Sequence, residues 1–157
     1  FIEKLVAKTK SAQISLHNQF ETKEIQKEYH ALVVGKLPDT GIINTNIDQQ
    51  KASTKFKKIR QIQALQNEYL TLVQLFPKTG RTHQLRIHLS SLGFPIVGDK
   101  LYAPKNVMMH KGLFLAATKI EITHPSTQTK MTISSAIPKK FDSYLTREEK
   151  RFTKHSI

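Results

Sequence analysis

The 157 residues carry 25 Lys and Arg against 12 Asp and Glu, a net charge of +13 that favours polyanionic partners such as RNA, DNA or an anionic membrane surface. A hydrophobic content of 38% and a mean hydropathy of -0.40 fit one globular domain with its own core, and no apolar run is long enough to span a bilayer. The absence of cysteine excludes disulfides and thiolate metal sites.

In chain order, Leu5-Val6-Ala7 reads as the tail of a buried strand, and nothing before it marks a strand start or a cap. The chain therefore reads as if entered in the middle of an element. Thr9 or Ser11 can cap a helix whose apolar contacts come from Ile14, Leu16 and Phe20. Residues 25–35 switch to period two, which predicts a strand with both faces partly covered and with Tyr29 near its start. Pro38-Asp39-Thr40-Gly41 is turn chemistry, and residues 42–47 suggest a short strand. Residues 54–59 alternate as a strand with a solvated basic edge formed by Lys55, Lys57 and Lys58. A polar connection over 61–67 leads to a strand at 69–76.

That strand delivers the chain to Pro77-Lys78-Thr79-Gly80, after which a short helix begins. Leu85, Leu89 and Leu92 fall at i, i+4 and i+7, and Gly93 sits where a left-handed cap ends a helix. Those three leucines, with Val73, Leu75 and Leu115, are the expected core. Arg86 lies off the stripe, where a strand–turn–helix unit can present a cation to an anion. Residues 103–111 read as loop, 113–122 as a strand, and 131–135 as its hairpin partner. After Pro138 a frayed, polar helix is expected. These elements predict an α+β fold with a mixed, mostly antiparallel sheet and few helices. One domain spans residues 1–141 and a polar tail 142–157. His83 and His88, five apart, diverge on a helix and do not form a zinc pair, so no metal site is expected.

The run Gly80-Arg81-Thr82-His83-Gln84-Leu85-Arg86-Ile87-His88-Leu89, followed by Leu92-Gly93-x-Pro95-Ile96-x-Gly98-Asp99-x-x-Tyr102, resembles a signature of RNA pseudouridine synthases of the RluA-type branch. Three further blocks are similar to that family: Val6-Ala7-Lys8-Thr9, the Lys27-x-Tyr29-x-Ala31-x-Val33 segment, and Thr123-His124-Pro125. The resemblance implies a part of a pseudouridine synthase catalytic core and isomerisation of uridine to pseudouridine in rRNA or tRNA, without a cofactor. It implies Tyr29 as the residue stacking on the base and moving a proton at carbon 5, and Arg86 as the partner of a nucleophilic Asp. Arg81, His83, Gln84 and Ile87 would bind substrate, and Lys55, Lys57, Lys58 and Lys78 would contact RNA.

Two departures from the family stand out. Its His-Arg-Leu-Asp element is absent: the Asp residues are Asp39, Asp48, Asp99 and Asp142, none preceded by Arg-Leu. By spacing, that element falls just before Phe1, so the chain is expected to be a truncated, inactive core. Leu115-Ala116-Ala117 also replaces the family's Leu-His-Ala. With its partner missing, Arg86 is expected to face water or a bound anion. A cytoplasmic location and self-association through an exposed sheet edge are further expectations. The rival readings are a non-catalytic RNA-binding module and a basic interaction domain unrelated to RNA.

Overall fold

The structure is a computed structural model that describes residues 5–105, 110 and 112–156. The expectation for residues 1–4, and much of the loop expected over 103–111, lie outside the described residues. Six strands form one sheet: β1 (Gln26–Val34), β2 (Thr40–Ile43), β3 (Thr54–Gln63), β4 (Tyr69–Pro77), β5 (Leu115–Thr123) and β6 (Lys130–Ser134). Their order is β2-β3-β4-β1-β5-β6, and every pairing is antiparallel. Three helices flank it: α1 (Lys10–Glu21), α2 (Gln84–Ser91) and α3 (Lys139–His155).

The register fixes which side chains share a face, because directly opposed residues of an antiparallel pair point the same way. Tyr29 lies opposite Leu75, and Leu75 opposite Phe56, so these three mark one face. Ala31, Val73 and the α2 residues Leu85 and Leu89 close the core on that side, all buried. Burying Leu85 and Leu89 contributes about 1.5–3 kcal/mol each. On the other face Arg60 of β3 ties α3 to the sheet, with Nη1 to Asp142 at 3.1 Å and Nη2 to Glu149 at 2.6 Å. A bulge between Lys58 and Arg60 turns that arginine toward the helix.

Several local expectations change. Residues 5–7 form no strand, and Val6 is 67% exposed. Thr9 does cap α1, accepting the Ala12 N–H at 3.2 Å, but Ile14 and Phe20 are exposed. The helix docks through Leu16, which packs against Ile25, Ile120 and Ile122 as expected, and through buried Gln19, whose amide exchanges two 2.8 Å bonds with the backbone of Thr123. Thr40 and Gly41 belong to β2 and not to a turn, and β3 runs through to Gln63. Leu92 is 43% exposed, because α2 stops at Ser91 and the chain turns at Gly93 with a φ of 91°. Leu115 is half-buried against the core. The polar stretch from Asp142 is part of the continuous α3, which buries Phe141, Tyr144, Leu145 and Glu148.

Candidate active site

The turn between β4 and α2 is held from below by one buried side chain. Gln84 accepts the Thr79 hydroxyl at 2.6 Å and the Arg81 N–H at 3.1 Å through its carbonyl oxygen. Its amide nitrogen donates to the Ser53 carbonyl and the Thr54 hydroxyl, both at 3.0 Å. Thr54 then meets Nδ1 of buried His88 at 2.9 Å, while Nε2 of His88 lies 2.8 Å from the Thr45 carbonyl. A carbonyl can only accept, so Nε2 carries the ring proton and the Thr54 hydroxyl donates to Nδ1. Every polar atom in this chain of bonds has a partner. His83 enters α2 in the left-handed region, φ 52°, and leaves its side chain free for Tyr102, whose hydroxyl lies 2.9 Å from Nδ1.

Arg86 projects from the first turns of α2 onto Asp99. Its Nε and Nη2 meet the two carboxylate oxygens at 3.0 and 2.7 Å, a bidentate pair. Asp99 is 1% exposed and also accepts the Leu101 and Tyr102 N–H groups at 3.0 and 3.1 Å. Gly98 precedes it with a φ of 81°, and a Cβ there would collide with the Gly112 carbonyl, so this turn requires glycine. Burial pulls the Asp99 carboxyl up, but Arg86 and the two N–H groups outweigh it and leave the group below its ordinary value. The Tyr102 ring lies 5.1 Å from the guanidinium carbon and screens the pair further. The expectation that Arg86 faces water or a bound anion is thus corrected: it has found another carboxylate.

Tyr29 and Arg86 line one cavity of about 280 Å³, together with Lys27, Arg81, His83, Leu85 and Leu115. Burial pushes the Tyr29 phenol above its ordinary value, so the hydroxyl stays protonated at neutral pH. The walls combine an aromatic ring, two leucines and three cations, which suits a flat, polar heterocycle attached to an anionic backbone.

The other sequence-derived candidates are distributed unevenly. Arg81 and His83 line this cavity, and Gln84 reaches it only from inside the turn it clamps. Ile87 is half-buried and is not among the lining residues. Lys55 and Lys57 are opposite Phe76 and Gln74, which puts them on the face away from Tyr29. They lie on an exposed face of β3, not on a sheet edge, since β2 covers that strand's outer side there. Lys58 is paired with Asp39 at 2.5 Å, and Lys78 is exposed beside the β4–α2 turn. Glu28 also faces away from the cavity, where it accepts a bond from Gln74 at 2.5 Å. Asp99 and Tyr102 were the site residues without an assigned role. Their signal was present in the Gly98-Asp99-x-x-Tyr102 spacing beside two arginines.

The family model for RNA pseudouridylate synthase matches residues 5–91. The chain belongs to that family. Among curated relatives, the ribosomal large subunit pseudouridine synthase C of Buchnera aphidicola is 34% identical over 167 residues, covering 90% of this chain and 51% of that protein. The dual-specificity RNA pseudouridine synthase RluA of Haemophilus influenzae is 37% identical over 146 residues, covering 82% of this chain and 65% of that protein. These relatives place the chain in the RluA-type branch, and it spans about half the length of the first of them. In solved structures, human RNA pseudouridylate synthase domain containing 1 superposes with a TM-score of 0.74 at 24% identity, over 85% of this chain and 63% of that one. At that identity the likeness supports the α+β fold alone.

Proposed function

We propose that this chain supplies the base-binding part of an RNA pseudouridine synthase acting on a uridine of rRNA or tRNA in the cytoplasm. The observation that carries this reading is the single cavity lined by both Tyr29 and Arg86. Tyr29 stacks on the uracil and moves the proton at carbon 5. Arg86 holds the nucleophilic carboxylate that attacks the nucleotide. The glycosidic bond then breaks, the base is reattached through carbon 5 as the bond to the carboxylate breaks and frees it, and the proton at that carbon leaves. Nε and Nη2 of Arg86 are taken by Asp99, while Nη1 bonds to no described residue and remains available to a second carboxylate.

That second carboxylate comes from outside this sequence. Among the described residues no Asp lines the cavity: Asp39 is paired with Lys58, Asp142 with Arg60, Asp99 is buried behind Arg86, and Asp48 sits in an exposed turn. The same placement favours, as the second reading, a non-catalytic RNA-binding module. Tritium release from carbon 5 of uracil in cellular RNA separates the two. The chain alone should release none, and the chain joined to an Asp-bearing N-terminal segment should turn over. Tyr29→Phe in the joined protein should lower the rate by about 10²–10⁴-fold. Turnover by the 157 residues alone overturns the assignment of the nucleophile. No turnover by the joined protein favours the binding module.

We also infer self-association along β6, whose outer side pairs with no described strand. Sedimentation at rising concentration should show dimers. A monomer at every concentration rules this out.

A further inference from the structure

A second, more basic cavity adjoins the one lined by Tyr29. It has a volume of about 220 Å³ and lies between the C-terminal end of α1, the start of β1 and the β4–α2 turn. Lys23, Lys27, Lys78 and Arg81 face it, against one carboxylate, Glu21. None of the four cations makes an ion pair with a described residue; Arg81 spends only its Nε, on the Lys51 carbonyl at 3.1 Å. In a chain with 12 acidic residues, four neighbouring cations left unpaired are an arrangement that needs an anion to offset it.

Lys27 is the decisive member. It shares the Tyr29 face of β1, is half-buried, and lines both cavities, as do Gly80 and Arg81. Its stem passes Phe20, with Nζ 5.8 Å from the ring centre, so part of its charge is desolvated without a carboxylate to balance it. That burial pulls its pKa down, an effect a bound anion would reverse. At Gly80 the missing side chain matters: a Cβ there would stand 3.3 Å from Nζ of Lys27, so glycine keeps the approach to the ammonium open.

We propose that this cavity is a subsite for a phosphodiester of the bound polynucleotide, with Lys27 as its central ligand and Lys23, Lys78 and Arg81 around it. The inference rests on the RNA-directed reading above and adds a location to it. Because Lys27, Gly80 and Arg81 form a wall common to both cavities, a nucleotide with its base beside Tyr29 has a phosphate within reach of the second one. Lys55 and Lys57, on the far face, take no part.

The test compares binding of a short single-stranded oligoribonucleotide, across a salt series, to the chain and to its Lys27→Met and Lys27→Arg variants. Loss of one phosphate contact should reduce the slope of log K against log salt by about 0.7 in Lys27→Met, with Lys27→Arg retaining the slope. In parallel, inorganic phosphate is titrated into the unaltered chain, and its amide signals are followed by NMR. Shifts concentrated at Gly80 and Arg81 are expected. If Lys27→Met fails to fold, the exposed pair Lys23→Gln and Lys78→Gln replaces it with the same expected direction. RNA binding with an unchanged slope, or phosphate shifts spread evenly over the surface, overturns the subsite and leaves the RNA reading intact. No RNA binding by the unaltered chain overturns both, and local shifts with phosphate would then mark an anion site of another purpose.

Discussion

Replacing Asp99 with alanine is expected to lower folding stability by about 3–5 kcal/mol, because it strands the charge of Arg86 without its partner. The magnitude follows from burial. Asp99 is 1% and the Arg86 side chain 19% exposed, so water can screen little of what is lost. Two backbone donors, the N–H groups of Leu101 and Tyr102, also lose their acceptor. Asp99→Asn should cost less but still well over 1 kcal/mol, since an amide offers one acceptor where the guanidinium fork needs two. Pairing Asp99→Leu with Arg86→Met should recover much of the loss, because neither charge then remains to be desolvated. The pH dependence has a definite sign. The folded-state pKa of Asp99 lies below the ordinary value of 3.8, so its stabilisation is present above that value and disappears as pH falls through the lower one. Asp99→Ala should therefore flatten the acid limb of stability below about pH 4. Urea unfolding of the three variants between pH 3 and 7 measures all of this. A loss under 1 kcal/mol for Asp99→Ala would show that the ion pair does not hold the turn.

Gln84→Ala should cost about 3 kcal/mol, although the residue sits on a short helix beside exposed neighbours. The substitution removes two donated and two accepted hydrogen bonds at once. It leaves the Arg81 N–H, the Thr79 hydroxyl and the Ser53 carbonyl without this partner at a site that is 4% exposed. Each such buried group costs about 1–3 kcal/mol when unsatisfied, partly relieved where water enters. Gln84→Glu should be about as damaging, since a carboxylate cannot donate to Ser53 or Thr54. For a domain of this size the melting temperature should fall by roughly 6–12 °C. A fall of a degree or two would mean that the β4–α2 turn holds itself, and that Gln84 is free to contact substrate directly.

These two residues also show where reading the sequence stops. Both lie inside the motif that resembles the pseudouridine synthase signature, and for Gln84 that resemblance implies contact with substrate. Its burial follows from the side chain reaching Ser53 and Thr54 at the start of β3, some thirty positions earlier, and no helical periodicity encodes that contact. Arg86 was recognised as a cation off the apolar stripe, but its choice of partner was not legible. Water, an external anion and any carboxylate compete for a guanidinium, and proximity decides the winner. The Gly98 turn folds back to place Asp99 against α2, and the bidentate geometry then outweighs the desolvation of the carboxylate.

What the sequence by itself determined was local or carried by the motif. The period-two runs became β1, β4 and β5, Thr9 capped α1, Gly93 closed α2, and the long motif led to the family. Local periodicity suffices there because the forces involved act between residues a few positions apart. Tertiary structure alone decided which face each charge occupies. Lys55, Lys57 and Lys58 read as one basic run, yet pairing with β4 sends the first two away from the cavity and leaves the third to Asp39. Lys27, an isolated lysine in the sequence, stands beside Arg81 and Lys78 because α1, β1 and the β4–α2 turn converge. The reason is physical: alternation fixes that neighbouring side chains diverge, whereas the long-range strand register fixes which of them meet.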